Sequence, residues 1–140
     1  MISHRNVIAN IIQASSYEEP ARKHYGVSTQ VMLGLLPLSH IYGLTLVALL
    51  SQYRGDEVII LPRFELDSFL ASVQRFRIEQ LSVVPPVLIQ MISNRDKCDA
   101  VDLSSVRMVF SGAAPLGSEL VEDLLRRYPK WHVGQGYGRS

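Results

Sequence analysis

Five short apolar segments recur along the chain, and a segment with helical spacing or turn residues separates each one from the next. They are residues 30–36, 57–61, 80–84, 108–110 and 131–134. Few polar residues interrupt them, which is typical of strands in a parallel sheet that is covered on both faces. The alternation therefore predicts an α/β fold, a mostly parallel sheet with helices on both faces and right-handed crossovers.

In the first half of the chain, Ser3 is a candidate N-cap for a helix that begins almost at the first residue. Residues 18–28 contain Pro20 and Gly26 and are predicted to form a polar loop. Residues 39–50 are predicted to form a buried helix, and Gly55 and Asp56 a turn. The apolar face of the first helix is expected to carry Val7, Ile8, Ile11 and Ile12.

In the second half, an amphipathic helix is predicted from an apolar repeat with intervals of three and four: Leu66, Phe69, Leu70, Val73 and Phe76. Pro85 leads into a helix over residues 87–92, because a proline is tolerated at a first helical position. Residues 94–105 are expected to be a polar link. Ser118 and Glu119 then open a last helix, with acidic residues early and arginines late, the order that the helix dipole favours.

The residues after each strand are expected to meet at one edge of the sheet, since parallel strands point their carboxyl ends the same way. In open α/β sheets, ligands bind outside these ends. The edge would collect residues 37–40, Pro85, residues 111–115 and residues 135–140. A candidate site is therefore predicted there.

Length, charge and cysteine content exclude several classes of protein. The 140 residues are the size of one domain, and a net charge of +1 gives no excess positive charge for nucleic acid or an anionic membrane. The single Cys98 excludes an internal disulfide and a zinc cluster of the finger type. The longest apolar run, residues 41–50, is far short of the roughly 20 residues of a membrane helix, and no targeting signal is seen. We expect an intracellular protein, cytoplasmic or peroxisomal, without a membrane span or a nucleic-acid partner.

Several local patterns at this edge allow more than one interpretation. One interpretation makes His40 a half-buried histidine that caps a helix and Tyr42 a tyrosine of the core. The other interpretation makes them functional residues of a site. Ser111 does not lie in a Gly-x-Ser-x-Gly motif, and no acid and histidine follow in hydrolase order. Residues 134–138 contain a Gly-x-Gly without a following helix, which leaves a dinucleotide fingerprint unsupported. No pair of carboxylates on the edge is expected to hold a metal.

Three blocks in this order resemble motifs of the adenylate-forming acyl-CoA synthetase family, most closely 4-coumarate:CoA ligase-like enzymes. They are residues 36–43, 111–117 and 134–138, and residues 1–4 resemble the segment that follows the family's phosphate loop. The resemblance implies an incomplete part of the large N-terminal domain of these enzymes. Residues 1–140 would form a partial AMP-binding (adenylation) domain, with no phosphate loop and no C-terminal lid domain.

Family enzymes join a carboxylic acid to the α-phosphate of ATP, release pyrophosphate and transfer the acyl group to coenzyme A. The resemblance implies a catalytic role for His40 beside the carboxylate and a coenzyme A-binding role for Arg63. It implies an acyl pocket formed by Tyr42, Thr45, Val83, Phe110 and Gly112. It also implies an adenylate site formed by Ala113, Gln135, Gly136, Tyr137 and Ser140. ATP and magnesium are expected, although the carboxylate that binds magnesium would follow Ser140.

Two functions of different class stay open from the sequence. The first is a segment of an acid-CoA ligase, with a carboxylic acid, ATP or AMP, coenzyme A and the remainder of the enzyme as partners. The second is a non-catalytic remnant that binds an acyl group, a nucleotide or a homologous partner. Within the first, Phe110 stands where hydroxycinnamate-using relatives carry a lysine, which favours fatty or other apolar acids over 4-coumarate.

Overall fold

The structure, a computed structural model, describes residues 2–136. Its strands are β1 (Val31–Gly34), β2 (Glu57–Ile60), β3 (Gln80–Val83), β4 (Met108–Ser111) and β5 (His132–Gln135). Its helices are α1 (His4–His24), a π-helix (Tyr42–Leu49), α2 (Leu50–Arg54), α3 (Leu66–Phe76), α4 (Pro85–Ser93), α5 (Arg95–Asp99) and α6 (Ser118–Arg127). All the strand pairs are parallel, in the order β2-β1-β3-β4-β5. The predicted α/β class is confirmed.

Successive residues of each strand face opposite sides of the sheet. On one side, the core face, Leu33, Leu81 and Val109 pack in a single buried cluster with residues of α3, α4 and α6. The opposite side, the polar face, carries Gln80, Ser82 and Phe110 and the residues in register with them. The π-helix and α2 cover the β1 part of the polar face, where the Ser51 hydroxyl contacts the Met32 sulfur at 3.1 Å. Helices thus lie on both faces, as predicted.

The helix α3 shows why the predicted apolar repeat forms a helix. The Glu65 carboxylate caps it by accepting the backbone N–H groups of Asp67 and Ser68, and the helix ends where Arg77 adopts a left-handed φ of 52°. Four members of the repeat are buried: Leu66, Phe69, Leu70 and Val73. Phe76, the last member, is instead exposed with the Arg75 guanidinium 5.0 Å from its ring centre.

The first helix extends through residues 18–24, where a loop was predicted, and contains Pro20. A proline inside a helix removes one backbone hydrogen bond, so other contacts must stabilise this end. The Arg54 guanidinium of α2 binds the Ala14 carbonyl at 3.0 Å and the Glu18 carboxylate at 2.7 Å. Arg22 forms two hydrogen bonds with the Asp56 carboxylate, at 2.7 and 3.0 Å. Two arginine contacts distant in sequence therefore keep the segment helical.

The predicted helix over residues 39–50 is a π-helix in its central part. π-Helices are rare and often lie at functional sites. This one packs closely on the segment before it, because a Cβ added to Gly43 would lie 2.3 Å from the Pro37 carbonyl oxygen. Only glycine fits there, so residue 43 fixes how the chain turns from β1 into the π-helix.

Two further differences concern the second half of the chain. The predicted polar link over residues 94–105 contains the short helix α5, and strand β5 begins one residue later than predicted, at His132. Trp131 is buried in the core face and stacks on Tyr128 with ring centres 3.9 Å apart. Within residues 2–136, every helix is too short or too polar to span a bilayer.

Candidate functional site

The order of the strands determines where a ligand can enter. In the order β2-β1-β3, the chain crosses to opposite sides of β1, and such a switch point opens a crevice at the carboxyl ends of the two central strands. The segments after β1 and β3 flank this crevice, and the segment after β4 lies one strand further along. The predicted common edge is confirmed for the described strands.

Tyr42, at the start of the π-helix, contacts the end of β4. Its phenol O–H donates to the Phe110 carbonyl at 3.0 Å, and its ring meets the Phe110 ring edge to face at 6.1 Å. A Cβ added to Gly112 would lie 2.6 Å from the Tyr42 ring. The structure therefore brings together three of the residues that the resemblance places in the acyl pocket.

The Tyr42 phenol is buried, with 8% of the residue exposed. Burial raises the pKa of this phenol well above its ordinary value, and the Ser82 hydroxyl offsets part of the rise. The phenol consequently stays neutral at any physiological pH and acts there as a hydrogen-bond donor.

The Phe110 ring lies across the glycine-containing strand β5. A Cβ added to Gly136 would lie 2.8 Å from its Cζ atom, and one added to Gly134 would lie 3.3 Å from its Cδ2 atom. At residue 136, glycine is thus required by contact with the ring rather than by an unusual backbone conformation, whereas the atom nearest to a Cβ at residue 134 is the Met108 Cε at 3.0 Å. The wall formed by Phe110 and Tyr42 at this end of the polar face is aromatic.

The segments that the resemblance assigns to the adenylate also meet. The Gly136 N–H donates to the Ser111 carbonyl at 2.9 Å, and the Gln135 side chain donates to the Ala114 carbonyl at 3.4 Å. Ala113 is exposed and has a φ of 68°, a left-handed conformation that costs a non-glycine residue about 1–2 kcal/mol. Strain of this kind concentrates at ligand-binding sites.

His40 lies on the turn that precedes the π-helix and is exposed. Its Nδ1 atom accepts the Tyr42 backbone N–H at 3.2 Å. With Nδ1 used as an acceptor, the neutral imidazole carries its proton on Nε2. The histidine therefore contacts a backbone N–H near the start of the helix, as one interpretation held, but it is exposed and not half-buried. Its Nε2–H is available as a donor at the edge of the sheet.

The remaining predicted residues lie apart from this group. Val83 points to the core face, where it is fully buried, so it lies on the opposite side of the sheet from Phe110. Thr45 is buried in the π-helix and its hydroxyl donates to the Ile41 carbonyl at 2.6 Å. Arg63 is exposed after the edge strand β2. Tyr137 and Ser140 lie outside the described residues.

Ser111 is unsuited to act as a nucleophile. Its side chain is fully buried on the core face, and its hydroxyl has no hydrogen-bond partner among residues 2–136. A general base would need to reach this oxygen. In the same part of the chain, no group of three or more His, Cys, Asp or Glu side chains could hold a metal ion.

A row of buried polar side chains on the polar face was not predicted. Gln30, Gln80 and Ser82 are all buried, and Arg107 contacts the first of them. The signal was present in the sequence, because Gln80 and Ser82 occupy alternate positions of an otherwise apolar strand. Alternate residues share one face of the sheet, so this pattern could have identified the row.

Comparison with protein families gives a match to the AMP-binding enzyme family over residues 1–140. The acyl-CoA ligase AKT1 of Alternaria alternata is 40% identical to this chain over 140 residues, which are 100% of the chain and 23% of that protein. The 4-coumarate-CoA ligase 3 of Arabidopsis thaliana is 41% identical over 140 residues, which are 24% of its length. The chain thus spans about a quarter of each of these relatives.

Solved structures share the fold. The N-terminal domain of FACL13 from Mycobacterium tuberculosis superposes with a TM-score of 0.69 and 25% identity, over 79% of this chain and 27% of that one. A long-chain-fatty-acid-CoA ligase from Archaeoglobus fulgidus gives a TM-score of 0.78 over 99% of this chain and 28% of that one. At 23% identity, the second comparison concerns the fold alone.

Proposed function

This chain belongs to the family of AMP-binding enzymes, and from that premise we propose that it forms the acyl- and adenine-binding part of an acid-CoA ligase. The relatives that carry ligase names are about four times longer than this chain, so the whole reaction is part of the proposal. The observation that carries it is the contact of Tyr42 with both Phe110 and Gly112, which joins two of the resembling blocks at the carboxyl ends of the strands.

In the proposed reaction, a carboxylate oxygen attacks the α-phosphorus of ATP and pyrophosphate leaves. The coenzyme A thiol then attacks the carbonyl carbon of the acyl-adenylate, and AMP leaves. The Nε2–H of His40 would donate to a carboxylate oxygen of the acid, which orients the other oxygen for attack. Its Nδ1 bond to the Tyr42 N–H fixes the ring for that role.

The adenine would lie against the backbone of Ala113, which is exposed, and against Gln135. Small residues let a planar base approach the main chain, and Ala113 has a strained, left-handed φ at this point. The Gln135 amide, which binds the Ala114 carbonyl, would close the same edge. Arg63 would supply a cation for a phosphate of coenzyme A.

Magnesium belongs to the proposal only as the family's cofactor. Enzymes usually hold this ion with one or two carboxylates together with phosphate oxygens of the substrate, and no group of three or more His, Cys, Asp or Glu side chains among residues 2–136 forms a metal site of its own. The His40 and backbone contacts described above would position an acid and an adenine.

The acid is proposed to be apolar, either fatty or aryl without a phenolic hydroxyl. Phe110 and Tyr42 form an aromatic wall, and the Tyr42 hydroxyl already donates to the Phe110 carbonyl. A phenyl ring cannot hydrogen-bond a phenolic hydroxyl. A polar substrate group would therefore be buried here without a partner, which disfavours its binding strongly.

The test places residues 1–140 in the framework of the Arabidopsis relative, in exchange for the matching quarter of that protein. Acid-dependent ATP–pyrophosphate exchange is expected for this chimera and should fall at least a hundredfold in His40→Ala. His24→Ala, an exposed histidine at the end of α1, is the matched control and should leave exchange within twofold. Exchange that is equal in both variants would contradict the role of His40.

The purified 140-residue chain is tested in parallel with aryl and fatty acids. We expect no exchange above background, because the chain spans about a quarter of its ligase-named relatives and so presents only part of their residues to the departing pyrophosphate. Exchange that disappears in His40→Ala would show that the chain is an enzyme on its own. Binding of AMP by the chain, with an inactive chimera, would instead favour the non-catalytic alternative.

A further inference from the structure

Polar side chains form a row of hydrogen bonds across the polar face. It begins at Arg107, whose guanidinium donates to the Gln30 side-chain carbonyl. The Gln30 amide donates to the Gln80 carbonyl at 2.6 Å, and the Gln80 amide donates to the Ser82 hydroxyl at 3.5 Å. Ser82 is in register with Phe110, whose carbonyl accepts the Tyr42 hydroxyl. The row therefore runs from the amino end of the sheet to the residue beside the Tyr42–Phe110 contact.

Every donor in this row points in the same direction. Arginine has only donors, so it must begin such a chain, and each amide uses its carbonyl toward Arg107 and its N–H toward Tyr42. Beside the end of the row, the Tyr42 hydroxyl donates to the Phe110 carbonyl at 3.0 Å. Hydrogen bonds aligned in this way polarise one another in a buried setting. Each side chain thus constrains the orientation of the next.

The burial of the row, and its end beside the candidate acyl site, suggest a role in that site in addition to a structural one. Gln30, Gln80 and Ser82 are 3%, 8% and 1% exposed, and apolar residues fill comparable positions on the core face of β3. Buried amides are costly unless they are hydrogen-bonded, so an apolar residue would be the simpler way to fill a strand. The row ends at Ser82, in register with Phe110, whose carbonyl accepts the Tyr42 hydroxyl, and the Tyr42 ring contacts Gly112.

We propose that Gln80 and Ser82 are positioning residues for the acyl site. They fix the Tyr42 hydroxyl, and through it they hold the Tyr42 ring against Gly112, where it shapes the pocket for the acid. This inference rests on the proposed function, because it assumes that the space beside Tyr42 and Gly112 receives an acyl group. Gln80 does not line the pocket in this proposal. It acts through Ser82, to which its side-chain amide donates a hydrogen bond.

The chain offers a matched control for a purely structural effect. Ser51 and Ser82 are both 1% exposed, and both hydroxyls lie at the polar face. The Ser51 hydroxyl contacts the Met32 sulfur and not the polar row. Ser51→Ala and Ser82→Ala therefore remove the same group from equally buried positions, and only the second removes a member of the polar row, beside the Tyr42–Phe110 contact.

The experiment uses the 140-residue chain with 3-fluorotyrosine in place of Tyr42, measured by ¹⁹F NMR. A cinnamoyl-sulfamoyl adenosine, a stable analogue of an aryl acyl-adenylate, is the binding probe. Ser82→Ala and Gln80→Leu are expected to shift the ¹⁹F resonance and to weaken probe binding about tenfold. Ser51→Ala should leave both unchanged, and Ser82→Thr, which keeps the hydroxyl, should retain most of the binding.

Two readouts separate failure of this inference from failure of the proposed function. Equal effects of Ser82→Ala and Ser51→Ala on the resonance would overturn the positioning role, as would a shifted resonance with unchanged probe binding. If the unsubstituted chain does not bind the probe, that result counts against the proposed function, and the ¹⁹F comparison alone then decides whether the row positions Tyr42. A Ser82→Ala chain that has lost its fold, when Ser51→Ala has not, would show a structural role and overturn the inference.

Discussion

The Tyr42 phenol donates a hydrogen bond to the carbonyl of Phe110, a residue 68 positions later in the chain, at a distance of 3.0 Å. The bond joins the π-helix to the second-to-last residue of β4, directly before Ser111 and Gly112. Two segments that share no secondary structure are therefore fixed relative to each other by one side chain. A substitution at either residue should therefore alter the position of the other.

Gly112→Ala should disturb this contact. The added Cβ would lie 2.6 Å from the Tyr42 ring, which must then move from its buried position. Overpacking of this kind typically costs about 1–3 kcal/mol, and urea unfolding of the variant measures it. Gly117→Ala is the control, because nothing lies within 4 Å of the added Cβ, and a change at this N-cap position should cost below about 1 kcal/mol. Equal losses in both variants would contradict the contact.

Tyr42 should make the folded state sensitive to alkaline pH. Its folded pKa is raised above the ordinary value of 10.0 by burial, so its contribution to stability is fully present below pH 10. As the pH rises further, the unfolded chain loses the proton first. The free energy of unfolding should then fall by up to about 1.4 kcal/mol per pH unit on account of this group.

The measurement is the free energy of unfolding from pH 8 to pH 11 for the chain and for two phenylalanine variants. Tyr42→Phe removes the ionisable group and should have a shallower alkaline slope, besides losing about 1 kcal/mol at pH 8 with its hydrogen bond. Tyr17→Phe, at an 87% exposed position, should retain the full slope. An identical slope in all three proteins would refute the assignment.

Phe110→Lys should change the choice of acid. In the chimera with the Arabidopsis relative, the chain is expected to prefer cinnamate or a fatty acid over 4-coumarate, and a lysine amine would supply the missing partner for the phenolic hydroxyl. We expect the ratio of kcat/KM values to shift toward 4-coumarate by at least about tenfold. Phe76→Lys, at an exposed phenylalanine of α3, should leave the ratio unchanged. Comparable turnover of both acids before and after Phe110→Lys would count against the proposal.

Asp56→Ala should strongly destabilise the chain. The Asp56 side chain is fully buried, accepts two bonds from Arg22 and also accepts the Gln30 backbone N–H at 3.0 Å. Removal of one partner leaves a largely buried charge unpaired, at a cost of about 3 kcal/mol or more. Glu19→Ala breaks an exposed pair with Lys23 and should leave the stability almost unchanged. Thermal unfolding of the two variants distinguishes them, and equal midpoints would disprove the role of Asp56.

The strands and the edge where they end could be predicted because local signals coincide there. Apolar runs such as residues 57–61 stop at a proline or at small residues, and the structure places their strands within one or two residues of the prediction. The contact of Tyr42 with Gly112 was expected only through the resemblance. The row formed by Gln80 and Ser82 required the two-residue periodicity of β3, which also places Val83 on the opposite face.

What local patterns could not predict depends on contacts distant in sequence. Pro20 signals a loop, yet α1 continues past it because Arg54 and Asp56 hold its last turns. The π-helix depends on the approach of Gly43 to the Pro37 carbonyl, a three-dimensional constraint that no helical periodicity contains. In both places, tertiary contacts override the local preference.

The strand order has a consequence for how the sheet can be made. β1 pairs first with β2 on one side, and β3, β4 and β5 then add on the other side in the order in which a ribosome would produce them. Each new strand finds its neighbour already present, so no strand has to be inserted between two others. From β3 onward, however, the newest strand leaves an open edge that another nascent chain could pair with until the next strand emerges, and among the described residues β2 has a neighbour on one side only.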